Sequence, residues 1–145
     1  MKLNDFLKSN LAYKNIFLIK NIDNQLQKNG FKFVYDTYFT NNKAGVTELR
    51  DLTSEELKFI EMIIELIEKI CLNFYGNTRC LHKSIAGYQI FSTKDLPIDL
   101  VIGVMKKPFT AHAWLEFNKQ VLNDFPENLE GLQIQLHTRK ENKVN

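Results

Sequence analysis

The sequence lacks the features that mark repeat, membrane and nucleic-acid-binding proteins. It contains two cysteines, three prolines and six glycines, without a Pro- or Gly-rich linker and without a repeat of fixed period. No apolar run approaches the roughly 18 residues of a membrane span, and polar residues interrupt the N-terminal stretch too early for a signal peptide. A net charge of +2 is too small to favour nucleic acid or a membrane surface as a partner.

The composition that remains fits one folded domain. Apolar residues make up 44% and charged residues 25% of 145 residues, which is enough chain to bury a core. We therefore predict a single domain, with an N-terminal segment (1–50) of undetermined role, a core (51–138) and a flexible tail (139–145). The two cysteines, Cys71 and Cys80, are expected to be free thiols in a chain of the reducing cytoplasm.

The N-terminal segment mixes two patterns. Residues 4–28 have an irregular helix-like spacing of apolar side chains, and Gly30 is placed to end that helix. The next stretch, 31–39, carries aromatic residues at period two, which predicts a strand. The polar residues 41–45 predict a loop.

The strongest helix signal follows. Thr53 and Glu56 form a capping-box pattern, with Ser54 as an alternative cap, and Gly76 is placed to end the helix. Between them, apolar residues recur at three- and four-residue steps, and this spacing assigns Cys71 to the core.

The remaining pattern predicts one more helix and then a sheet. The helix begins at about 77–79 and ends before Pro97. Four strands follow it, at 98–105, 111–117, 120–125 and 132–138. N-terminal helices followed by an antiparallel sheet make an α+β fold.

His112 lies in one strand of a predicted hairpin and calls for a partner. If the hairpin loop is centred on Asn118, His112 faces Asp124, close enough for an imidazole N–H to bond a carboxylate. A two-residue turn at Asn118 and Lys119 would shift the register and send Asp124 to the other face. The pairing therefore requires a three-residue loop or a bulge, and Asn118 tolerates the left-handed conformation that such loops use.

A His–Asp pair is a base with its orienting group, and Cys80 is the candidate nucleophile. Cys80 falls in the first turn of a predicted helix, where unsatisfied N–H groups and the helix dipole favour an anionic sulfur and can stabilise an oxyanion. Arg79 adjoins it and either holds the thiolate or a substrate carbonyl, or is simply solvated. Together Cys80, His112 and Asp124 predict a cysteine acyl-transfer site.

Purely structural roles for the same residues remain open alternatives. In these alternatives His112 would pack in a hairpin, Cys80 would be a small buried apolar residue, and Asp124 would be a turn residue. Zinc ligation by Cys80, His82 and His112 lacks a fourth ligand, so we expect no metal and no cofactor. Trp114 shares the face of His112 and is expected to pack as a wall beside the site.

Three motifs in this order resemble the lasso-peptide leader peptidases, small bacterial maturation proteins with a transglutaminase-like, papain-like cysteine protease core. The motifs are "RCLHKSIAGYQIF" (79–91), "LPIDLVIGV" (96–104) and "PFTAHAWLEFNKQVLND" (108–124). The resemblance covers about 53–127, and 1–50 matches no pattern. The positions that match are Arg79, Cys80, Leu81, Ser84, Ile102 to Val104, Ala111 to Trp114, Asn123 and Asp124.

The resemblance implies a hydrolase of ribosomal peptide (RiPP) and antibiotic biosynthesis. Such an enzyme cuts the leader from a precursor peptide and exposes the amine that a partner cyclase then uses. A small leader-binding protein would present the substrate in trans. Ser84 would be a supporting residue that makes a hydrogen bond from helix to sheet.

Two other functions stay compatible with these residues. A transglutaminase or amidase would use the same Cys–His–Asp site and pass the acyl group to an amine instead of water. A non-catalytic module would bind an extended peptide along an edge strand at 31–39.

Overall fold

Helices precede an antiparallel four-stranded sheet in the computed structural model, which describes residues 3–37, 47–74 and 80–141. This arrangement confirms the α+β prediction. The predicted loop at 41–45, Gly76 and Arg79 lie outside the described residues. The elements are α1 (Leu3–Tyr35), α2 (Ser54–Phe74), α3 (Cys80–Thr93), β1 (Asp99–Lys106), β2 (Phe109–Phe117), β3 (Gln120–Val121), a 3-10 helix (Pro126–Leu129), β4 (Gln133–His137) and α4 (Thr138–Glu141).

The first helix is interrupted where the sequence predicts its end. Gly30 has φ 80° and ψ 176°, which are not helical, and a left-handed φ of this kind favours glycine. The chain then resumes as a helix, so the strand predicted at 31–39 is wrong in its described part. Phe31 and Phe33 are exposed, whereas Val34, which follows Phe33, is fully buried. A short apolar run fits either element, and here Val34 packs in the core while the two phenylalanines before it stay exposed.

The second helix begins with the predicted capping box. The Glu56 N–H donates to Thr53 Oγ1 (3.1 Å), and the Thr53 N–H donates to Glu56 Oε1 (2.9 Å). The buried face of α2 then joins α1, α3 and the sheet in one core, and Cys71 is buried in it as predicted. In the described part of the chain, no helix is both long enough and apolar enough to cross a bilayer. The core includes Ile19, Ile22, Val34, Ile60, Ile63, Ile67, Ile85, Phe91, Leu100, Ala113 and Leu115.

The strands lie in the order β3-β2-β1-β4, and α3 packs against β1 and β2. Gly87 on α3 faces Leu115 on β2, and a Cβ atom at Gly87 would lie 2.7 Å from Leu115 Cδ1. Glycine therefore lets the helix approach the sheet without displacing the Leu115 side chain. This approach holds the first residue of α3, Cys80, against the strand that carries His112.

The C-terminal residues are fastened to β1. Thr138 is buried, and its Oγ1 donates to Asp99 Oδ1 (3.1 Å). Arg139 forms an ion pair with Asp99 (2.8 Å) and donates to the Thr47 carbonyl (2.8 Å). The segment that the sequence predicts to be a flexible tail thus begins with a fixed residue, and 142–145 lie outside the described residues.

Gly103 on β1 leaves room for the ring of Trp114. A Cβ atom at Gly103 would meet Trp114 Cη2 at 3.0 Å and Leu132 Cβ at 3.1 Å. Trp114 is nearly fully buried, and its ring centroid lies 6.3 Å from that of His112. The glycine therefore positions the indole ring beside the imidazole ring.

We predict that Gly103→Ala moves the only tryptophan of the chain. The added methyl group is confined on two sides, so it should displace the indole ring and lower the free energy of unfolding by about 1–3 kcal/mol. Tryptophan emission and urea unfolding measure the two effects. Gly131→Ala is the control, because Gly131 has φ 83° but nothing within 4 Å of an added Cβ atom. It should lower stability and leave the emission maximum unchanged; equal emission spectra for both variants would contradict the prediction.

Candidate active site

Cys80 is the first residue of α3, and its side chain is half-buried. The Ala113 N–H of β2 donates to the sulfur over 3.4 Å. The sulfur is thus the acceptor of a backbone hydrogen bond from the neighbouring strand. Because Ala113 follows His112 directly, this contact brings the thiol beside the predicted base.

His112 and Asp124 are joined as predicted, although the hairpin register differs from the expected one. The turn has two residues, Asn118 and Lys119, both with positive φ, and β3 pairs with β2 only at Glu116–Val121 and Phe117–Gln120. This register alone would send Asp124 to the other face. Nevertheless Nε2 of His112 donates to Oδ2 of Asp124. Of the two predicted devices, a three-residue loop or a bulge, the loop is therefore wrong, and the pairing depends on an irregularity after Val121.

The irregularity arises from a side chain that ends the strand. The Leu122 N–H still donates to the Leu115 carbonyl (2.9 Å), but the Leu115 N–H donates to Asn123 Oδ1 (2.8 Å) instead of to a backbone carbonyl. The amide of Asn123 thus takes the position of a strand residue, and β3 ends at Val121. The chain bends after it, and the bend returns Asp124 to His112.

The same amide connects the strand to the helix of the thiol. Asn123 Nδ2 donates to Ser84 Oγ (3.1 Å), and Ser84 Oγ donates to the Ala113 carbonyl (3.2 Å). Ser84 is fully buried and lies one turn after Cys80. The hydrogen bond from helix to sheet that the sequence assigns to Ser84 is present. It connects α3, β2 and the bend in one network.

The Asp124 carboxylate is held in its charged form. Partial burial raises its pKa, but hydrogen bonds from Asn128, His112 and the Phe125 N–H together outweigh burial and keep the pKa below its usual value. Asn128 Nδ2 and the Phe125 N–H both donate to Oδ1, over 2.8 Å and 2.7 Å, so Oδ2 is left to His112. A carboxylate fixed in this way can orient an imidazole ring and stabilise its protonated form.

Two pockets border the thiol. Cys80, His112 and Ala113 line both pockets, so sulfur and imidazole border both spaces. The apolar pocket, of about 170 Å³, is also lined by Phe31, Leu81, Ile102 and Ala111. The polar pocket, of about 260 Å³, is also lined by Glu68, Lys83, Asn123, Asp124, Phe125 and Asn128.

Trp114 and His82 lie near the site in sequence and have separate hydrogen-bond partners in the structure. Trp114 lies beside His112 as a buried wall, and its Nε1 donates to Glu116 (2.9 Å). His82 is buried and bonded to Asp23 (2.8 Å), away from the thiol. Among the described residues, no group of three or more His, Cys, Asp and Glu side chains is arranged to hold a metal ion.

Sequence reasoning missed the parts played by two asparagines. The third sequence motif contains Asn123 only as the neighbour of Asp124, and it ends before Asn128. The only local signal for Asn128 is that Asp124, Pro126 and Asn128 are residue types common in turns, which does not indicate that Asn128 binds Asp124. The role of Asn123 depends on a break in strand pairing, for which the alternation of residues holds no signal.

We predict that Ser84 and Asn123 are energetically coupled. Ser84→Ala and Asn123→Ala should each cost about 1–3 kcal/mol of unfolding free energy, because each leaves buried polar groups without their partner. The double variant should cost less than the sum, by about 0.5–3 kcal/mol. Thr93→Ala is the control: it removes an exposed hydrogen bond to Ile90 and should add to Asn123→Ala without coupling. Additive losses for Ser84 and Asn123 in urea unfolding would contradict the network.

We also predict a pH dependence of stability that originates at Asp124. Because the folded-state pKa is depressed, the carboxylate contributes stability that is complete above the ordinary Asp pKa of about 3.9 and is lost as the pH falls below it. The unfolding free energy of wild type should therefore fall toward that of Asp124→Asn between about pH 5 and pH 2.5. Asn128→Ala removes one donor and should give a curve between the two. Parallel curves for wild type and Asp124→Asn would contradict the assignment.

The chain resembles known proteins over most of its length. Residues 38–136 match the family model described as the transglutaminase-like superfamily. The chain is 27% identical over 109 residues to the Microcin J25-processing protein McjB of Escherichia coli, which covers 75% of this chain and 49% of the relative. The chain thus spans about half the length of this curated relative, and no solved structure matches it. With more than half of its length matched by the family model, the chain belongs to the transglutaminase-like superfamily.

Proposed function

We propose that this protein is a cysteine peptidase that removes the leader from a ribosomally made lasso-peptide precursor. The observation that carries the proposal is the position of the Cys80 sulfur, which accepts a hydrogen bond from the residue after His112 while His112 is bonded to Asp124. The superfamily match and the likeness to a microcin-processing protein support the choice of a peptide substrate.

In the proposed reaction His112 moves the proton. Asp124 occupies Nε2, so Nδ1 takes the proton from the Cys80 thiol. The thiolate attacks the carbonyl carbon of the last leader residue, and the first N–H groups of α3 stabilise the oxyanion that forms. The C–N bond then breaks, the core peptide leaves with the proton from His112, and the leader remains as a thioester on Cys80.

Water completes the cycle. His112 takes a proton from a water molecule, whose oxygen attacks the thioester carbon, and the C–S bond breaks to regenerate the thiol. The products are a leader with a free carboxylate and a core peptide with a free amine. The second product is what a partner cyclase requires.

Substitution of the three site residues tests the proposal. Cys80→Ala and His112→Ala should abolish cleavage of a co-expressed precursor peptide, because each removes a group that takes part in bond breaking. Asp124→Ala should retain activity of the order of 10-fold to 100-fold above the Cys80 variant, because an orienting group contributes less than the nucleophile. Mass spectrometry of the peptide measures cleavage, and circular dichroism checks folding.

Cys71→Ala is the matched control, because Cys71 is buried in the core and lines neither pocket. It should cleave the precursor like wild type. Full cleavage by Cys80→Ala would disprove the peptidase. Omitting the expected leader-binding protein from the same co-expression should slow cleavage without preventing labelling of Cys80 by a thiol reagent.

A transglutaminase or amidase is the second candidate, because the superfamily match and the thioester chemistry suit it equally. The same mass spectra separate the two reactions. Hydrolysis gives two fragments whose masses sum to the precursor plus one water, whereas transfer gives an adduct of the acyl fragment with an amine. The non-catalytic alternative loses its structural basis, since residues 31–35 are helical and form no edge strand.

A further inference from the structure

The apolar pocket has the size of one side chain. Its volume of about 170 Å³ is close to that of an engineered cavity of about 150 Å³ that holds benzene. Its lining, apart from Cys80 and His112, is aliphatic or aromatic and comes from three parts of the fold: α3, the sheet and the segment after Gly30. Such a space favours one aliphatic side chain over a polar one.

The two pockets suit different reactants because their linings differ. Water that attacks the thioester needs hydrogen-bonding partners, and the polar pocket supplies Asp124, Asn128, Asn123 and the Lys83–Glu68 ion pair (3.0 Å). The acyl half stays bound to Cys80 while water arrives. It therefore requires space that the water does not occupy, and the apolar pocket, which Cys80 also lines, provides it.

Phe31 contributes the part of the lining that neither α3 nor the sheet supplies. It belongs to the short helical segment after Gly30, and 39% of its surface stays exposed. Val34 of the same segment is fully buried in the core, which fixes the segment against the rest of the molecule. The N-terminal part of the chain thus extends to the candidate active site.

We propose that the apolar pocket binds an aliphatic side chain of the acyl half of the substrate, with Phe31 as a specificity-determining residue. This inference rests on the proposed function, because it requires a Cys80 that accepts an acyl group. It assigns the N-terminal segment a role in selecting the peptide.

Peptide chloromethyl ketones test the pocket without knowledge of the natural precursor. The probes are capped tripeptides whose last or next-to-last residue is Gly, Val, Leu or Asp, and the Cys80 thiolate displaces chloride to form a stable thioether. Intact-protein mass spectrometry gives the rate constant for each probe. At one of the two positions, Val or Leu should react about 10-fold faster than Gly or Asp, which corresponds to burial of one aliphatic side chain.

Two substitutions test the lining. Phe31→Ala should reduce the preference for Val or Leu over Gly about fivefold, because it removes apolar surface from the pocket. Ala111→Leu should fill the space and abolish the preference. Phe33→Ala is the matched control, because Phe33 is a similarly exposed phenylalanine of the same segment that does not line the pocket. It should retain the wild-type preference.

Iodoacetamide separates failure of the pocket from failure of the proposed function, since it has no side chain to place. Cys80 should react with it about 10-fold faster in wild type than in His112→Ala, because the base is lost. Equal rates in these two proteins would overturn the proposed function and this inference with it. A His112-dependent iodoacetamide rate with equal rates for all the ketones would overturn the pocket alone. An unchanged preference in Phe31→Ala would overturn the role of Phe31.

Discussion

The geometry of the candidate site depends on the side-chain amide of Asn123. By accepting from the Leu115 N–H it ends β3 after two residues, and the bend that follows brings Asp124 to His112. By donating to Ser84 it joins this bend to the helix that begins with the nucleophile. Three residues that are distant along the chain are thus fixed relative to one another by one residue that takes no part in the chemistry. A hydrogen-bond network of this kind is satisfied only when all its members are in place.

The parts of the fold that the sequence predicts well are those that depend on local pattern. The capping box at Thr53 and Glu56 needs residues within one turn, and the helix break at Gly30 needs one left-handed residue. The strands of the sheet alternate or form apolar runs, and all four are present, although β3 (Gln120–Val121) is much shorter than the predicted 120–125. The segment 31–39 was predicted wrongly because a short run of aromatic residues suits a helix as well as a strand. Only the position of Val34 in the assembled core distinguishes the two.

The sequence predicts that Cys80, His112 and Asp124 lie together, as they do, but not what holds them there. Residue type and spacing indicate Cys80 at the start of a helix, and His112 opposite Asp124 in a hairpin. The hairpin register that would pair His112 with Asp124 is not the observed register. The pairing arises because a side chain replaces a strand residue, and that substitution depends on Ser84 being nearby in space. Long-range contacts of this kind leave no periodic trace in a sequence.

The thiol borders two unlike pockets, and this bears on whether water or an amine takes the acyl group. In the proposed reaction the acyl-enzyme is the same whether water or an amine attacks next, and both would approach through the polar pocket. The outcome is then a competition between two nucleophiles for one entrance. The Cys–His–Asp groups act in the same way with either nucleophile. Changing a peptidase of this design into a ligase would call for a drier polar pocket with an amine-binding group, and the catalytic groups could remain untouched.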